Sequence, residues 1–208
     1  MLRAYEHVTC GTFPCTDVKK DIHILPSMDL KPEAIKIMMI CEAPPSDPED
    51  RFYAGQGSFY LSTVLQAFQD SGVNVSSMED IAKAGVYLTT AVKCAKTGYQ
   101  VSTDSIRNCS FLLEKEIALF PNVEVYLFMG DVAIKAANQI SRRQTGKAAI
   151  PAGSTYKIRR QAFYFQGKRA FPSYTPTGHN YLIEKSKRRM IAEDIRATME
   201  IIARNPRA

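Results

Sequence analysis

The sequence predicts an α/β fold: a three-layer α/β/α sandwich with a central, mostly parallel sheet. Two observations predict it. Short β-rich apolar runs alternate along the chain with segments whose apolar residues recur at helical spacing. The strand runs are short and mostly apolar or β-branched, as a parallel sheet covered on both faces requires. At 208 residues the chain suits one domain, 1–208, with a sizeable core.

The elements follow in order. KIMMI (36–40) reads as a buried strand, with Cys41 ending the run. Residues 58–70 read as a helix with Phe59, Leu61, Val64, Leu65 and Phe68 on one side, stopped by Ser71 and Gly72. VYLTTAV (86–92) is a second strand, and residues 105–119 form a helix carrying Ile106, Leu112, Leu113, Ile117 and Leu119. VEVYLFMG (123–130) is a third strand, and Asp131 suits the N-cap of a helix beginning at Val132. SRRQTGKAAIPAGST (141–155) reads as a basic loop, and two short strands are expected around Gln166, Gly167 and Lys168. A Lys- and Arg-rich helix over 183–204 closes the chain.

In such a fold ligands bind at the carboxyl ends of the strands. The loop after the first strand carries Glu42, Asp47, Glu49 and Asp50, the aromatics Phe52 and Tyr53, and Gly55 and Gly57. It reads either as a ligand loop, with aromatic faces for a base, or as a solvated acidic loop. The loop PSYTPTGHNYLIEKSKRRM leads into the basic helix, where Lys185, Lys187, Arg188 and Arg189 suit phosphates or form a solvated face. The net charge of +6 fits an anionic partner such as nucleic acid. No apolar run approaches the roughly 20 residues that span a bilayer, and the N-terminus lacks a long apolar stretch. A cytoplasmic monomer with no membrane partner is therefore expected.

Five cysteines occur, an odd number that argues against a disulfide framework. Cys10 and Cys15 share the turn-rich CGTFPC, and Cys94 and Cys109 are separated by fourteen residues. Four of them suit a thiolate site for zinc or an iron–sulfur cluster, or are scattered buried thiols. Cys41 reads as a buried small hydrophobe.

Taken together, these segments resemble the uracil-DNA glycosylase superfamily, and most nearly its iron–sulfur-containing branch. That branch has GEAPG after its first strand, where this chain has CEAPP (41–45). PFVGRAG corresponds to FYAGQGS (52–58), and VYITNVVKC to VYLTTAVKC (86–94). A helical cysteine corresponds to Cys109, and PTYHPA to PSYTPT (172–177). The resemblance implies a four-stranded parallel sheet and a [4Fe–4S] cluster on Cys10, Cys15, Cys94 and Cys109. It implies a glycosylase acting on double- or single-stranded DNA, with Ala43, Tyr53 and Thr90 at base-contacting positions; no lysine is placed for Schiff-base chemistry, so a monofunctional enzyme is expected.

The departures bear on the chemistry. The family's catalytic His falls at Thr175, its uracil-reading Asn at Thr90 and its stacking Phe at Tyr53. A threonine donates a hydrogen bond but carries no charge. Either the donor has moved, with His179 the candidate, or the base has changed, or activity is lost. Glu42 matches the family's Glu and suits positioning of water; Asp50 is a weaker candidate for activating it. The expected activity is excision of a damaged or modified base, uracil included. The alternative is a non-catalytic nucleic-acid-binding iron–sulfur protein. Defence against modified phage DNA is an extension of the first reading. The basic helix around Arg188 and residues 141–147 are the expected DNA footprint.

Overall fold

The computed structural model describes residues 1–54 and 57–204, apart from the side chains of residues 22, 48, 179 and 180. The strands are β1 (Val18–His23), β2 (Ile37–Cys41), β3 (Val86–Thr90), β4 (Cys94–Lys96), β5 (Val125–Met129), β6 (Phe163–Phe165) and β7 (Lys168–Ser173). The helices are α1 (Ala4–His7), α2 (Phe59–Asp70), α3 (Met78–Lys83), α4 (Thr103–Ala118), α5 (Asp131–Thr145), α6 (Thr155–Ile158), α7 (His179–Ile183) and α8 (Lys185–Arg204).

The central sheet runs β3-β2-β5-β7-β6. Its first four strands are parallel, and β6 joins antiparallel at the edge. The expected four parallel strands are therefore present. The fifth is the first arm of the hairpin at Gln166 and Gly167, whose positive φ values of 50° and 74° give the tight reversal. β1 and β4 pair separately in a two-stranded antiparallel sheet.

Strand alternation divides the core. Met38, Ile40, Tyr126 and Phe128 pack with Leu113 of α4 and Ile140 of α5 on one face. Ile37, Met39, Leu127 and Met129 pack with Phe68 of α2 and Ile191 of α8 on the other. Each fully buried side chain of this kind stabilises the fold by roughly 1.5–3 kcal/mol. This is why every residue of β2, β3 and β5 is buried. No helix among the described residues is long and apolar enough to cross a membrane.

Helix ends follow local chemistry. Ser58 Oγ accepts from the Leu61 N–H at 3.1 Å and Ser102 Oγ from the Ser105 N–H at 3.2 Å, capping α2 and α4. Two sequence expectations need correction. Gly130, not Asp131, occupies the N-cap of α5, and Asp131 is its first residue. That helix continues to Thr145, so Arg142 and Arg143 are helical, and Gly146 at φ 75° ends it. The closing Lys- and Arg-rich helix is present as α8, with the short α7 just before it.

Candidate active site

Parallel register brings the strand ends level. Cys41 lies opposite Thr90, and Met129 opposite Ser173. The residues that follow, Glu42, Gly130 and Thr175, therefore meet at one edge, in a cleft of 580 Å3. Thr175 Oγ1 donates to the Met129 carbonyl at 3.1 Å. Glu42 Oε1 lies 3.5 Å from the Val132 N–H at the start of α5, where the helix dipole favours a carboxylate.

Gly130 permits this approach. Its φ of 100° belongs to a region that side chains avoid. A Cβ there would stand 2.5 Å from Glu42 Oε1 and closer still to Thr175 Oγ1. Gly130→Ala is expected to cost about 1–3 kcal/mol through backbone strain alone and to push Glu42 and Thr175 apart. A lowered thermal midpoint together with loss of activity checks this.

Glu42, Thr175 and Ala43 are thus brought together, as the sequence suggested. Other candidates are placed elsewhere. The Tyr53 hydroxyl donates to the Leu88 carbonyl. Burial and the nearby Glu116 charge push that phenol well above its usual range. Tyr53 and Thr90 line a separate cavity of 20 Å3 with Pro44 and Pro45. The aromatic surfaces of the cleft come instead from Phe52 and Tyr60, their centroids 6.1 Å apart, and from Tyr99, Tyr174 and Tyr181. Asp50 Oδ1 accepts from the Phe59 N–H at 3.2 Å, anchoring the start of α2 away from the cleft lining. The His179 side chain and Gly55 lie outside the described residues.

The basic residues of the expected DNA footprint fall in different places. Arg188 forks onto Asp70, with Nη2 to Oδ1 at 2.8 Å, and Tyr181 donates to the same carboxylate at 3.0 Å. The Arg188 hydrogen bonds hold the Asp70 carboxyl below its usual range, so Arg188 fastens α8 to α2. Arg189 and Lys185 are exposed, Arg189 at 3.7 Å from Glu193. Residues 141–147 sit at the far end of α5, the helical ones about 9–15 Å along the axis from Lys135 on the cleft. The lysines on the cleft are Lys96, Lys135 and Lys187, and only the last was expected. Sequence signals for the others were slight: Lys96 lies two residues beyond Cys94, and Lys135 one turn into α5.

Cys10, Cys15, Cys94 and Cys109 line a second cavity, of 310 Å3. They come from the N-terminal segment, β4 and α4. Burial, then the proximity of Cys109, Cys10 and Cys15, pushes the Cys94 thiol up to about 12. Burial raises Cys109 to about 11. The Lys93 N–H donates to Cys109 Sγ at 3.2 Å, and the buried Nε2 of His23, a residue of the same wall, has no hydrogen-bond partner among the described residues. Among the described residues no three His, Cys, Asp or Glu side chains are arranged to hold a metal ion. Cys41 is apart, buried on the α2 face of the sheet.

Lys93 and Glu116, both fully buried, form an ion pair beside these sites. Lys93 Nζ also donates to Thr89 Oγ1 at 3.0 Å and to the Thr90 carbonyl. The Tyr87 and Thr89 hydroxyls donate to Glu116 Oε1 at 2.6 and 2.8 Å. Neither charge has a local signal of burial in the sequence.

The sequence model of the uracil DNA glycosylase superfamily matches residues 28–197. A type-5 uracil-DNA glycosylase from Thermus thermophilus is 32% identical over 80 residues, which are 38% of this chain and 36% of that protein. The chain thus matches about a third of the length of that relative. Among solved structures, the wild-type UNG of Nitratifractor salsuginis aligns over 84% of this chain and 80% of its own, with 13% identity and a TM-score of 0.42.

Proposed function

The chain belongs to the uracil-DNA glycosylase superfamily, and on that footing we propose that it is a DNA glycosylase. It hydrolyses the bond between a flipped-out base and C1′ of its deoxyribose, leaving an abasic site. The observation that carries this reading is the meeting of Glu42 and Thr175 over Gly130, on a cleft at the carboxyl edge of the sheet. The target nucleotide leaves the stack and enters the cleft, where Phe52 and Tyr60 offer apolar faces. Glu42 accepts a proton from water as the water oxygen bonds to C1′. The C1′–N bond breaks, its electron pair leaving with the base. The Thr175 hydroxyl turns from the Met129 carbonyl to donate toward the charge developing there.

The preferred substrate is a modified or damaged pyrimidine, uracil included. The cleft has room for an added group, and its polar lining supplies partners for one. Water is the nucleophile, making the enzyme monofunctional: Lys135 and Lys187 are ion-paired with Asp131 and Glu184, Lys93 is fully buried, and the Lys96 ammonium is held at the cleft mouth on the Tyr99 carbonyl at 3.0 Å.

Four thiols around one cavity are the donor set of a [4Fe–4S] cluster, and Cys10, Cys15, Cys94 and Cys109 are its proposed ligands. The Lys93 N–H is placed to hydrogen-bond the Cys109 sulfur. When bound, the cluster ties the N-terminal segment to β4 and α4, a structural service apart from the hydrolysis.

Purified protein is incubated with duplexes and single strands carrying uracil, hypoxanthine, or hydroxymethylated or glucosylated pyrimidines, and abasic sites are read by alkaline cleavage. Release of at least one base supports the proposal. No release from any strand, with binding intact, overturns it in favour of a binding protein. For the cluster, anaerobically purified protein is expected to contain iron and sulfide and to absorb in the visible, and Cys94→Ala to lose that band. A colourless wild-type protein carrying zinc overturns the assignment.

A further inference from the structure

Building on the glycosylase reading, we propose that Lys96 and Tyr99 form a subsite for a nucleotide adjacent to the flipped one. The Tyr99 ring stacks on its base and the Lys96 ammonium holds its phosphate.

Tyr99 is 88% exposed, more than any other aromatic side chain among the described residues. It nevertheless lines the same cleft as Glu42 and Thr175. A ring left in water contributes almost no apolar burial to folding, so its stacking surface stays available to a ligand. Lys96 Nζ lies 5.6 Å from the ring centroid and donates to the Tyr99 carbonyl at 3.0 Å, which keeps ring and charge side by side.

Charge pairing singles out Lys96. Of the three cleft lysines, Lys135 is 2.5 Å from Asp131 and Lys187 is 2.6 Å from Glu184. Lys187 also sits over Tyr174, but that ring is half-buried and the ammonium is already neutralised. Lys96 has no carboxylate partner among the described residues. Its backbone is fixed: it ends β4, it is the ladder partner of Val18, and its carbonyl accepts from Ser46 Oγ at 3.0 Å. A flat π-surface beside an unpaired ammonium, at the mouth of a site for a flipped base, matches one nucleotide of a strand. The base must have a free face, so the occupant is unstacked or single-stranded DNA.

The test uses a single strand with a tetrahydrofuran abasic analogue at the target position, a probe that does not depend on which base is excised. Binding is followed by fluorescence anisotropy. Removing the base at one neighbouring position is expected to weaken wild-type binding about ten-fold. Tyr99→Ala is expected to lose the same factor on the intact strand and then to be indifferent to that removal. Tyr99→Phe keeps wild-type behaviour, and Lys96→Gln reduces the slope of log affinity against log salt by about one contact. Tyr99→Ala that binds like wild type, or that still responds to base removal, overturns the subsite. Absence of any binding by wild type overturns it together with the glycosylase reading. A strand that binds without base release in the substrate panel overturns only the latter.

Discussion

Glu42→Gln is expected to slow base release by about 100-fold or more, while DNA affinity and the thermal midpoint change little. Glutamine keeps the size of the side chain and its carbonyl oxygen can still face the Val132 N–H, so the contact at the start of α5 survives. What is lost is the capacity to take a proton from water. The measurement is the single-turnover rate of abasic-site formation on whichever base the wild type releases best. Asp50→Asn is the contrasting control. That carboxylate accepts the Phe59 N–H rather than lining the cleft, so its loss belongs in stability rather than in the rate. A rate unchanged in Glu42→Gln would move the general base elsewhere.

What the sequence disclosed depended on whether the signal was local. The strands were legible because β2, β3 and β5 are buried on both faces and read as short runs of apolar and β-branched residues. Their parallel order then placed Glu42 and Thr175 on one edge. Phe52 and Tyr53 are adjacent aromatics in a loop without periodicity, and motif position alone selected Tyr53, whose hydroxyl is instead drawn to the Leu88 carbonyl. Arg188 read as a phosphate ligand because its partner, Asp70, lies 118 positions earlier. The helix through Arg142 and Arg143 was hidden by its own stop signal: Gly146 and Pro151 made the whole basic stretch look like loop. Lys93 and Glu116, 23 residues apart, give no local hint of burial; only the packing of α4 on the sheet brings them together.

That pair carries the second large effect. Lys93→Met leaves the Glu116 carboxylate buried without its cation and is expected to destabilise the fold by about 3–5 kcal/mol. Against a typical domain stability of about 5–15 kcal/mol, this is a large loss, visible as a lower urea midpoint. Adding Glu116→Gln removes the orphaned charge while leaving an amide oxygen for the Tyr87 and Thr89 hydroxyls, so the double variant is expected to regain much of the loss. A single substitution costing under about 1 kcal/mol would contradict this, because it would make the pair no stronger than an exposed one. So would a double variant no better than Lys93→Met. Recovery should nevertheless be incomplete. The ammonium also satisfies the Thr90 carbonyl at the end of β3, while the Lys93 backbone N–H holds Cys109 on α4. Methionine replaces the stem but not the donor, so the strand end beside the cleft stays under-bonded. An apolar pair of equal volume would avoid the desolvation cost but could not hold that carbonyl, which gives a physical reason for a charge in the core at this position.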